Sequence, residues 1–166
     1  MYLTYLPSSS KDDYETHQLI ARLFETSNKK LWQRDDYRIT VLSSHPCSEG
    51  ESREITEEDL SQGQYMVNLR LNPSTRKNGK RISLPKEKIP SWVKERLSAA
   101  GVEAVVQCVS EGVRRSRKGN SVISLASVLV VGILTVKNQK AFEQSVMNGI
   151  GHGKGFGFGL LNVFAF

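Results

Sequence analysis

Sixteen consecutive residues, SVISLASVLVVGILTV at 121–136, limit what this chain can fold into more than any other feature. A membrane-crossing helix takes about 20 apolar residues, and this run is shorter and interrupted by serines at 121, 124 and 127. Its many Val and Ile residues favour extended backbone, because branching at Cβ restricts χ1 in a helix and suits a pleated surface. The run therefore reads as a long buried strand or a bent pair of strands. A fold built on it must contain a sheet, together with elements that cover one face of that sheet.

The neighbouring segments supply those elements. MYLTYL (1–6) and YRITVLSS (37–44) alternate as strands, and QYMVNLRLNP (64–73) alternates up to Pro73. Between the first two, Ser10 is an N-cap candidate with Asp13 three residues on, opening a helix over 11–27 with Ile20, Leu23, Phe24 and Ser27 on its inner stripe. Residues 45–63 are polar and acidic, with a short helical turn at ITEEDL. STRKNGKR (74–81) reads as a basic connector, followed by a short strand at RISLP. A helix over 89–101 follows, with Pro90 at its start and Gly101 at its stop. EAVVQCVSE (103–111) is a strand and GVRRSRKGN a turn before the long apolar strand. A helix over 137–148 carries Phe142 and Val146 in register with Ile150, and LLNVFAF closes the chain as a strand.

From residue 79 this order is β-α-β-β-α-β, the ferredoxin-like pattern shared by RNA-recognition folds. The first half begins β-α-β and ends in a strand, with a shortened middle. The expected class is α+β: two tandem ferredoxin-like (RRM-like) units, 1–78 and 79–166, the N-terminal one abbreviated.

Charge divides along the same line. Residues 1–66 hold 7 Lys and Arg against 12 Asp and Glu, and residues 67–166 hold 16 against 5. A basic half suits a polyanionic partner, nucleic acid first, although a solvated surface has the same composition. Cys47 and Cys108 share no disulfide or zinc spacing, so no metal site is read from them and a reducing, cytoplasmic setting is expected.

GIGHGKGFGFGLL (149–161) matches neither nucleotide-binding template. A dinucleotide fingerprint needs glycines at i, i+2 and i+5, and a P-loop needs four residues between glycines and a Lys-Ser/Thr end. The glycine pairs here are followed at the third position by Lys154, Phe156 or Phe158, and Lys154 is followed by Gly155.

Three stretches together resemble the CasE family of CRISPR RNA-processing endoribonucleases, within the larger RAMP superfamily. They are DDYETHQLIARLF (12–24), with its Tyr-x-x-His; YMVNLRLNPSTRKNGKR (65–81); and the glycine-rich loop ending Gly-x-Gly-Leu-Leu. Residues 45–63 stand where the family has a strand plus a helix, and His152-Gly153 depart from its loop. The resemblance implies a metal-independent, cofactor-free endoribonuclease. It would bind a CRISPR repeat hairpin and cleave the precursor by 2′-OH attack, leaving a 2′,3′-cyclic phosphate and a 5′-OH. It also implies crRNA and Cascade-type subunits as partners, and no membrane.

Such a reaction needs a base, an acid and positive charge at the phosphate. His17 is the candidate proton carrier and Tyr14, one turn earlier, its companion; the competing reading is a surface histidine beside a core tyrosine. Lys154 is the candidate cation, with Gly151, Gly153, Gly155 and Gly157 allowing close approach to RNA. Phe156 and Phe158 either stack bases or enter the core. Arg114, Arg115, Arg117 and Lys118 on a hairpin tip, and Arg76, Lys77, Lys80 and Arg81 on the connector, are the expected RNA grips, with Arg70 facing the groove. The rival readings are a non-catalytic RNA-binding RAMP subunit and an RNA-binding ferredoxin-like protein outside CRISPR.

Overall fold

The computed structural model describes residues 1–9 and 12–166, so the Ser10 cap and the helix start at Lys11 lie outside the described residues. Two four-stranded antiparallel sheets carry the chain. The first contains β1 (Tyr2–Pro7), β2 (Lys30–Arg34), β3 (Arg38–Ser43) and β4 (Glu51–Glu54) in the order β2-β3-β1-β4. Helix α1 (Asp13–Leu23) packs Ile20 and the adjoining Phe24 onto Leu6, Trp32, Ile39 and Val41. Asp12 is its N-cap, accepting from the N–H groups of Tyr14 and Glu15. The strand order is ferredoxin-like, and a loop at 44–50 replaces the second helix. The unit is abbreviated by a helix and not by a strand, because Glu51–Glu54 pairs with β1. One helical turn, α2 (Glu57–Leu60), follows and is closed by a Thr56–Asp59 capping box.

The second sheet has the order β10-β5-β9-β8, from β5 (Gln64–Leu71), β8 (Val102–Lys118), β9 (Ser121–Val136) and β10 (Asn162–Ala165). Helices α3 (Ile89–Ala99) and α4 (Gln139–Asn148) cover one face, burying Val93, Leu97, Phe142 and Val146 against Tyr65, Val67, Leu69, Val130 and Leu134. This arrangement moves the expected boundary at 78/79. β5 hydrogen-bonds both β9 and β10 and is the first strand of the second sheet, so by strand pairing the change of sheet falls between Glu54 and Gln64. RISLP does not take that role. The connector is itself a hairpin, β6 (Ser74–Lys77) and β7 (Lys80–Ser83), turned by Asn78 and Gly79 at φ 49° and 74°. Asn-Gly is the dipeptide that accepts positive φ at both turn positions most readily. KLWQR at 30–34, not read as a strand in the sequence, forms β2.

The apolar run is a single strand, and β8 pairs along its whole length. The turn expected at 112–120 shrinks to Gly119–Asn120. Residues 113–118 continue β8 as one side of a projecting arm. Polar residues on both faces leave no apolar alternation there to read. Among the described residues, no helix is long and apolar enough to cross a membrane.

Candidate ribonuclease site

The site is assembled where the glycine loop meets α1. Tyr14 is half-buried and His17 exposed, one turn apart on α1, with ring centroids 6.4 Å apart. Phe156 also stacks on His17, at 6.2 Å and an interplanar angle of 24°. A Cβ at Gly155 would stand 3.9 Å from His17 Cε1, so the loop backbone runs directly beside the imidazole. Helix and loop are far apart in sequence, and the sequence-derived pair Tyr14 and His17 does meet the loop.

Close packing explains why the loop lies there. Gly157, at φ 80°, passes so near Trp32 that an added Cβ would come within 2.6 Å of the ring. Gly159, at φ 84°, leaves 2.4 Å to the Ile150 carbonyl oxygen for the same atom. Ile150 N–H donates to the Gly159 carbonyl, and Gly159 N–H donates to the Arg70 carbonyl, both at 2.8 Å. Phe158, adjoining Gly157 and Gly159, is fully buried, whereas Phe156 is half-buried beside His17. The loop is thus pinned to β2, β5 and its own start, and it presents only its middle, 151–156, outward.

Lys154 does not extend from that middle. Its ammonium donates to the Asn148 carbonyl at 2.7 Å, satisfying an end carbonyl of α4. Gly151 rests against Leu71 and Gly153 against Phe158 and Asn72. His152, between them, is exposed. Partial burial first, then the charges of Arg81 and Arg76, hold its imidazole below the ordinary histidine value.

The basic residues separate into two groups. Arg76, Lys77, Lys80 and Arg81 are exposed on the β6–β7 hairpin, with Arg76 paired across from Arg81 and Lys77 from Lys80. Facing like charges repel, so this hairpin gains from an anion laid against it. Arg115, Arg117 and Lys118 are exposed on the arm. Two of the expected RNA grips are otherwise engaged. Arg70 is 5% exposed and donates to both carboxylate oxygens of Glu111, at 2.7 and 2.8 Å, and to the Arg34 carbonyl. It lies at the seam between the units, in the wall of an open cleft that it shares with Asp13, Arg34, Glu111 and Arg114. Arg114 turns inward onto Asp13. The clustering of cations at 114–118 concealed this for Arg114, because alternate strand residues point to opposite faces.

Residues 6–164 match a family model described as CRISPR associated protein. The chain belongs to that family. No curated protein sequence matches it. Among solved structures it is similar to the Cse3 of Thermus thermophilus bound to an RNA representing a pre-cleavage complex, at 21% identity and a TM-score of 0.78, with 98% of each chain covered. It is also similar to the CRISPR-associated protein Cas6e from Escherichia coli K-12, at 20% identity and a TM-score of 0.80, with each chain covered in full. A third similarity, 19% identical with a TM-score of 0.78 and full coverage of both chains, is to a chain of a CRISPR RNA-guided surveillance complex. These likenesses establish the fold, with its two ferredoxin-like units. In this CRISPR-associated chain, three residues at the seam were not singled out in the sequence: Arg34, Glu111 and Asp13, the last read only as a capping partner. Their pairings span up to 101 residues, and no spacing rule reaches that far.

Proposed function

We propose that this chain is an endoribonuclease that binds a CRISPR repeat hairpin and cleaves the precursor RNA through attack of a ribose 2′-OH on the adjacent phosphate, without a metal ion. The observation that carries this reading is the stacking of His17 with both Tyr14 and Phe156, beside the glycine loop, in a chain of the CRISPR-associated family whose structural neighbours include a Cse3 bound to an RNA representing a pre-cleavage complex. His17 takes the proton of the 2′-OH or supplies one to the departing 5′-oxygen, and the Tyr14 hydroxyl donates to the phosphate. The products are a 2′,3′-cyclic phosphate and a 5′-OH. Phe156 offers an aromatic face to an unstacked base. Lys154 gives one of its three N–H donors to the Asn148 carbonyl, so it is assigned to loop placement first and to charge stabilisation second.

The β6–β7 hairpin and the arm cations Arg115, Arg117 and Lys118 hold the RNA backbone. Arg70 and Arg114 are not part of that grip. The product stays bound, and the protein joins a Cascade-type assembly through it.

The test is cleavage of the repeat RNA from the array in the same genome, in EDTA, beside a copy with one 2′-deoxy nucleotide at the cut site. Cleavage of the first RNA only, reduced to a small residual rate in His17→Ala, is the expected result. Tight binding of an intact repeat would instead identify a non-catalytic RNA-binding subunit.

A further inference from the structure

One of the points at which the second unit meets the helix bearing Tyr14 and His17 is a buried carboxylate. Asp13, 3% exposed, begins α1 and immediately precedes Tyr14. Its Oδ1 accepts from Arg34 Nε at 3.1 Å and Nη2 at 2.7 Å, and from Arg114 Nη2 at 2.6 Å. Its Oδ2 accepts from Arg114 Nε at 2.7 Å. Arg34 lies on β2 of the first unit and Arg114 on β8 of the second, so both units share a single anion.

We propose that Asp13 and Arg114 are positioning residues: their clamp holds the first turn of α1 against the β8–β9 arm and so sets where Tyr14 and His17 stand relative to RNA gripped by that arm. The inference rests on the reading of His17 as a catalytic residue.

Three observations support it. First, β8 is built to deliver Arg114. Its register shifts between Ser110 and Gly112, where Gly112 takes φ 75°, and beyond this bulge Arg114 and Ser116 face inward while Val113, Arg115 and Arg117 face out. A bulge re-aims the side chains that follow it. Second, the arm is held at another point of the same turn: the Arg117 N–H donates to Asp12 Oδ2 at 3.3 Å, while Asp12 Oδ1 caps α1. Of the two exposed arginines of the arm, Arg115 therefore adjoins the Arg114 that binds α1, and Arg117 holds the cap of α1 through its own backbone. Third, a buried ion pair is a poor source of net stability, because desolvation offsets most of its attraction, whereas it defines orientation sharply. An apolar contact at this seam would allow α1 to slide. Paired fork-shaped donors on one carboxylate do not.

The cleanest variant is Arg114→Gln, which leaves Asp13 paired with Arg34 and the fold intact. The experiment measures single-turnover cleavage of the repeat RNA, affinity for the 2′-deoxy copy, and the thermal midpoint. The expected result is cleavage slowed about 10- to 100-fold, the scale of a small misplacement of reacting groups, with affinity changed less than about threefold. Arg114→Lys, which keeps the charge and loses the fork, is expected to restore part of the rate. The deciding arm places Arg114→Gln on the double variant Tyr14→Ala, His17→Ala. A residue acting through these two side chains has no further effect on the residual rate of that background, whereas general loosening of the fold slows it again. Equal losses of rate and affinity, an unchanged rate, or a further loss in the double-variant background would each overturn the proposal. Full cleavage by His17→Ala alone would overturn the functional reading beneath it.

Discussion

The imidazole of His17 and the ring of Phe156 face each other at 6.2 Å, one carried by a helix of the first unit and the other by a loop of the second. This pairing joins the two elements that the proposed chemistry needs, and it leads to the first prediction. Phe156→Ala should slow cleavage of the repeat RNA by about 10- to 100-fold while lowering stability by only about 1–2 kcal/mol, since the ring is half-buried. Phe156→Trp should keep most of the rate. Single-turnover kinetics beside a thermal melt checks both statements.

Two glycines of one loop should respond in opposite ways to the same substitution. At Gly157 a Cβ meets the Trp32 ring at 2.6 Å on a backbone with φ 80°, so Gly157→Ala should cost about 2–3 kcal/mol of stability. At Gly155 the nearest group is His17 Cε1 at 3.9 Å, so Gly155→Ala should fold within about 0.5 kcal/mol of the parent. It should nevertheless cleave more slowly, because the new methyl group narrows the approach to His17. Urea unfolding and cleavage rates together separate the two cases.

Acid should weaken the seam first. Burial disfavours the Asp13 carboxylate, but the hydrogen bonds and charges of Arg114 and then Arg34 prevail, leaving it below the ordinary 3.8. As pH falls, the unfolded chain binds this proton before the folded one does. The contribution is therefore complete above the unfolded value and is lost as pH drops through it toward the folded value. Melts from about pH 6 down to about pH 3 should show this loss. Asp13→Asn should be less stable near neutrality by about 3–5 kcal/mol, the cost of leaving buried arginines without their anion, and its dependence on pH in the acid range should be shallower.

His152 should titrate below 6.5, through burial first and then the nearby charges of Arg81 and Arg76. Removing the arginines in a double Arg76→Ala, Arg81→Ala variant should raise the value part of the way, with burial still holding it down. NMR titration of the ring protons reads the change. No rise would mean that the hairpin does not hold its cations near the loop.

Reversal of Arg115, Arg117 and Lys118 to Glu should weaken repeat binding and flatten its dependence on salt, by about one unit of log–log slope for each phosphate that is no longer neutralised. Affinity measured over a salt series checks this. Unchanged affinity would leave RNA holding to the β6–β7 hairpin alone.

What the sequence by itself determined was local. Period-two and period-3.6 patterns identified most of the strands and helices, and they required a sheet long enough to use residues 121–136. A Tyr-x-x-His on one helix and a glycine loop between the last helix and last strand marked the two halves of the candidate site. Only the tertiary structure decided how these pieces were shared out. Strand pairing assigned β5 to the second sheet, since an alternating strand carries no mark of which neighbour it will bond. It also sorted the arginines: Arg115 and Arg117 face water, while Arg70 and Arg114 lie against Glu111 and Asp13. A charge reads the same in a sequence whether it meets solvent or a buried carboxylate 101 residues away, and the difference arises only when burial raises the cost of leaving it unpaired.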